Sequence, residues 1–147
     1  MRKKLETALD LAIAFIFLLT FCTAYHEYGH AVVTEELGGS ATVHFSLVGG
    51  YAVPSGVSGT ELIVVAFSGG LLCALVLWYI QFWWLNEPTD WNTRLVCRYF
   101  MLGQLCYGIA EGTYFMGLHS NLWLGGQVAQ VIAVMVLAFW YLYWEKS

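Results

Sequence analysis

Two histidines and a glutamate, His26, Glu27 and His30, stand together in "AYHEYGHAVVTEELGG", residues 24–39. On a helix, residues four apart share a face, so the two imidazoles can grip one cation while the Glu27 carboxylate adjoins them. The chemistry of that spacing is hydrolytic. Zinc would lower the pKa of a water to roughly 7, Glu27 would take its proton, and the resulting hydroxide would attack a carbonyl polarised by the same ion. Such a centre needs a third protein ligand and an open fourth position. The chain holds only four histidines, and two of them take this spacing at the end of a long apolar run, which favours a metal role over two ordinary helical histidines.

The third ligand has two candidates, Glu111 in "AEG" and His119 in "GLHSN". At helical rise, His26 lies about 33 Å along its segment from Lys4, while Glu111 and His119 lie roughly 20 and 32 Å along theirs from Arg98. The match in level favours His119; burial favours Glu111. Whichever residue does not ligate can still support the site as an acid or a hydrogen-bond partner. Asn121 reads as a helix N-cap or as a donor to a tetrahedral intermediate, capping being the commoner use.

These residues must be carried by membrane helices. The 147 residues are 59% hydrophobic and 17% aromatic with only 11% charged, a composition far from that of a soluble domain. Four apolar runs of spanning length occur at roughly 7–33, 60–85, 94–118 and 122–144. The expected fold is therefore one all-α membrane domain over 1–147, with four transmembrane helices and a small β-hairpin-like outer segment between the first two. The start, "MRKKLETALDLAIAFIFLLTFCTA", has signal-peptide features, but Glu6 and Asp10 interrupt it and it reads as the first span. In the hairpin, Val43, Phe45 and Leu47 alternate with Thr42, His44 and Ser46 before a turn at Gly49 and Gly50. An exposed edge there could receive an extended substrate by strand addition, which makes Phe45, Leu47, Gly49 and Gly50 candidate substrate-binding residues; a plain outer cap is the competing reading.

Arg2, Lys3, Lys4, Arg94, Arg98 and Lys146 all fall at one end of these spans, so the positive-inside rule puts both termini in the cytoplasm and the histidines towards the outer face. The net charge of −4 comes from scattered acidic residues, and no basic groove exists for nucleic acid. Cys22, Cys73, Cys97 and Cys106 stand singly in apolar stretches and read as small buried hydrophobes. Gly69 and Gly70 suit close packing of the second span against the first.

Three strings in order, "HEYGH", "FSLVGGYAV" and "AFSGGLLCALVL", resemble the H-E-x-G-H, G-G-Y-containing and A-G-P-beginning segments of the site-2-protease-type intramembrane zinc metalloproteases. The resemblance covers residues 7 to about 80. It implies Zn2+ held by His26 and His30, Glu27 as general base, and cleavage of a transmembrane or membrane-adjacent peptide, with the hairpin receiving the substrate. The second half departs from that pattern: the family's L-D-G motif is missing, Glu111 is its nearest analogue, and Gly70 stands where proline is usual. The expected partners are the bilayer and a membrane protein or peptide substrate, with a second copy or an accessory subunit left open. The competing function is a non-proteolytic metal-binding membrane protein, regulatory or structural. A small transporter is disfavoured because no pair of Gly/Pro-broken spans repeats.

Overall fold

The computed structural model describes residues 2–46, 49–83 and 91–143. It contains helix α1 (Arg2–Glu36), strands β1 (Ser40–Ser46) and β2 (Gly49–Ser55), and helices α2 (Thr60–Trp83), α3 (Trp91–Phe115) and α4 (Leu122–Tyr143). Helix and hairpin thus fall in the expected order. Crossing the membrane is a narrower matter. Two segments, Ala12–Glu36 and Thr60–Trp83, are long and apolar enough to do so, and Leu124–Leu137 is a shorter apolar run, so four spans are not supported by length and apolarity. Arg94, Arg98, Gln104 and Glu111 dilute the hydropathy of α3, which is why its length alone does not qualify it.

Helix α1 stops because Gly38 adopts a left-handed φ of 85°, where its amide reaches the Glu35 carbonyl at 2.9 Å and that of Gly39 reaches Thr34 at 2.9 Å. The chain then enters the antiparallel hairpin, in which Val43 faces Ala52 and Phe45 faces Gly50. Gly49 and Gly50 are paired residues of β2, not the turn expected from sequence; the link at 47–48, with Leu47, lies outside the described residues. Their pairing follows from the register, which sets Gly49 opposite Ser46. At the start of α2 the Glu61 carboxylate accepts the backbone N–H of Ser58 at 3.1 Å, an orphan donor satisfied as in a capping box.

The helices meet backbone to backbone along glycine seams. A Cβ on Gly29 would lie 3.0 Å from Cα of Gly69, and one on Gly108 would lie 2.9 Å from Cα of Gly70. Gly69 therefore faces α1 as expected, whereas Gly70 faces α3; adjacent helical residues point about 100° apart and serve different neighbours. Below the seams, Leu18, Cys22, Cys73, Leu77, Cys97 and Phe100 form the buried core. Three of the four cysteines are buried there, and Cys106 is half-buried. The outer surfaces remain apolar: Ile16, Phe17, Leu75, Trp78, Val131 and Met135 are all exposed. Large apolar area of this kind suits contact with lipid rather than water.

Candidate metal centre

His26 and His30 sit on the face of α1 that turns inward, both buried, with Glu27 buried beside them. Their approach to α2 requires glycine: a Cβ on Gly69 would come within 2.5 Å of His30 Nε2 and 2.8 Å of the His26 carbonyl. From the other side α3 brings Glu111. Its Oε2 lies 2.9 Å from His26 Nε2 and 3.5 Å from His30 Nε2, and the two Nε2 atoms are 3.0 Å apart. These three form the one His/Cys/Asp/Glu group among the described residues with metal-ligand spacing.

The protonation of the rings follows from their outer nitrogens. His30 Nδ1 lies 2.7 Å from the Val65 carbonyl, which only accepts, so Nδ1 carries the proton and Nε2 of the neutral ring presents a lone pair. His26 Nδ1 likewise donates to Gln104 Oε1 at 2.7 Å. With both rings neutral, two lone pairs and a carboxylate oxygen converge, an arrangement that a metal ion at its centre would satisfy. A point roughly 2.0–2.2 Å from all three atoms exists, matching Zn–N and Zn–O bond lengths. The donor set could hold a metal ion, and the Val65 and Gln104 contacts are of the kind that metal-bound histidines regularly make with their other ring nitrogen.

Of the two sequence candidates for third ligand, the structure brings Glu111 to the histidines and leaves His119 elsewhere. Helix α3 ends at Phe115, and Gly117, at φ 75°, reverses the chain, with the Leu118 amide bonded to Thr113 O at 3.0 Å. His119 is therefore not on the helix that its depth count assumed. Its Nε2 donates to the Ala110 carbonyl at 2.9 Å, and its ring lies flush against Gly125 of α4. Asn121 caps α4, its Oδ1 accepting the Leu124 amide at 3.0 Å.

Two cavities flank the cluster. One of about 250 Å³ is bordered by Glu27, His30, Glu111, Gly50 and Ala52. The other, about 450 Å³, runs past His26, Glu27, Gly49, Gly50 and Gln104 towards Phe15 and Phe100. Strand β2 lies directly over Glu27: a Cβ on Gly50 would come 2.8 Å from Glu27 Cγ, and the Ala52 backbone hydrogen-bonds to the Glu27 carboxyl. Gly49 and Gly50 thus border the site, while Phe45 is exposed and borders neither cavity. Sequence reading missed Gln104 and Tyr107. Both share the inward face of α3 with Glu111, and polar residues at 104 and 111, two turns apart in an apolar helix, were the available signal.

No protein family, curated protein or solved structure matches this chain.

Proposed function

We propose that this chain is a zinc-dependent intramembrane endopeptidase that hydrolyses peptide bonds of a transmembrane or membrane-adjacent substrate. The observation that carries the reading is the convergence of His26 Nε2, His30 Nε2 and Glu111 Oε2, with a buried carboxylate next in sequence to His26 and open cavities on either side. Three protein ligands leave one position for water, the pattern of hydrolytic rather than structural zinc. It is this count that favours hydrolysis over a purely structural metal site.

Bound zinc would supply Lewis acidity towards a carbonyl and a water of lowered pKa. The chain does the rest. Val65 and Gln104 hold the imidazoles in the tautomer that points Nε2 inward. Glu27 takes a proton from water as the oxygen adds to the scissile carbonyl carbon, the C=O π pair moving onto the carbonyl oxygen. That pair returns as the C–N bond breaks, and Glu27 passes its proton to the leaving nitrogen. Among the described residues the sheet has only two strands, and its outer edges, the Ala52 group held by Glu27 aside, would offer hydrogen bonds to an extended substrate chain, the form hydrolysis requires.

In this reading α3, packed against α2, and α4, packed against α3, also cross the bilayer, with both termini cytoplasmic and the metal towards the outer face. The test uses full-length protein in proteoliposomes, with zinc measured by elemental analysis and cleavage by a library of fluorogenic transmembrane peptides. Wild type should hold one zinc and cleave; Glu27→Gln should keep the zinc and lose cleavage. Protein without stoichiometric zinc, or a fully active Glu27→Gln, would overturn the proposal.

A further inference from the structure

We infer that Tyr107 donates the hydrogen bond that stabilises the oxyanion formed when water adds to the scissile carbonyl; the inference rests on the hydrolytic reading above. The two cavities have three residues in common, Glu27, Gly50 and Tyr107. A substrate chain lying in either cavity meets the Glu27 carboxyl, the Tyr107 ring and a strand position that has no side chain. The phenol therefore borders both cavities, as does the carboxyl that would activate water.

The other donors nearby are already used or border only one of the cavities. The Nδ1–H groups of His26 and His30 are held by Gln104 and Val65. The Thr23 hydroxyl donates to the Leu19 carbonyl at 2.8 Å. Tyr51 borders only the first cavity, while Tyr99, Gln104 and Gln130 border only the second. Glu27 and Glu111 in their carboxylate form can only accept. The Tyr107 hydroxyl has no hydrogen-bond partner among the described residues, and it is not sealed off as a buried orphan.

Its ring is fixed while its hydroxyl is free. The ring packs edge-on against His26 at a centroid separation of 5.4 Å, and Gly126 of α4 closes on its far edge, where a Cβ would come 2.6 Å from Cε2. A donor held rigidly by packing incurs no reorganisation when charge develops, and removing one such donor typically lowers kcat by about 10²–10³-fold.

Tyr107→Phe keeps the ring and its packing and removes only the hydroxyl. The readouts are zinc content, cleavage of the peptide library, and calorimetric affinity for a peptide phosphinate, a tetrahedral oxyanion mimic, beside the matching uncleaved peptide amide. We expect full zinc, kcat lower by about 100-fold with KM within about twofold, and phosphinate affinity lower by at least about tenfold with amide affinity unchanged. Unchanged kcat and phosphinate affinity in Tyr107→Phe, with an active wild type, would sink the Tyr107 assignment alone. Equal weakening of phosphinate and amide, or loss of zinc, would also overturn it by assigning the phenol a packing role. A wild type that neither holds zinc nor binds phosphinate would remove the hydrolytic reading and this inference together.

Discussion

Gln104 and Glu111 approach the same imidazole from opposite nitrogens: the amide oxygen takes Nδ1–H at 2.7 Å, and the carboxylate lies 2.9 Å from Nε2. Two turns of α3 thus fix His26 in orientation, tautomer and distance. Gln104→Leu removes the outer contact without touching a ligand, and zinc affinity measured by chelator competition should fall by about 10–100-fold. Glu111→Ala should abolish stoichiometric zinc, because two imidazoles alone do not complete the set. His119→Ala should leave it intact, since that ring is docked on the Ala110 carbonyl. Elemental analysis of the two purified variants separates them, and zinc lost from His119→Ala but kept in Glu111→Ala would reverse the ligand assignment. The histidine pair and its neighbouring carboxyl were legible in sequence because four-residue spacing is a local, helical fact. The choice between Glu111 and His119 was not, because it turned on where α3 ends. "MGLHS" contains the deciding residue, Gly117, whose left-handed φ halts the helix.

At the level of elements, the ligands depend on how closely α1, α2 and α3 approach. Gly69 touches the His30 ring and Gly70 lies against Gly108, so a side chain at either position must push a helix away. Gly69→Val and Gly70→Val should each destabilise the protein by about 1–3 kcal/mol or more, read as a lowered thermal midpoint in detergent, and Gly69→Val should also reduce zinc content. Asn121→Ala, which removes only the cap of α4, should cost about 1 kcal/mol and leave zinc content unchanged. Alternation in 42–47 foretold the hairpin, since period-two patterning is as local as helical spacing. Gly49 and Gly50 read as a turn because glycine acts as punctuation, yet they are paired residues of β2, where Gly50 lets the strand lie on Glu27. Which helix each glycine of the 69–70 pair would meet depends on packing, which no single segment encodes.

For the whole molecule, composition pointed to lipid and the exposed apolar faces agree, yet among the described residues only two helices have the length and apolarity to cross by themselves. The proposed arrangement, with α3 and α4 also crossing and both ends cytoplasmic, predicts that tags at either terminus are shielded from a membrane-impermeant label in intact cells, whereas a cysteine at Gly38, beyond α1, is labelled. Labelling at either terminus in unbroken cells would reverse or reduce the topology.

The glycine seams also bear on how the protein comes apart. Helices joined through bare backbone have little side-chain play with which to separate slightly and adjust, so with an ion in the proposed centre α1 and α3 should be unable to drift apart. Cation release and bundle melting should then occur as a single cooperative event at one temperature, instead of a gradual loosening followed by collapse.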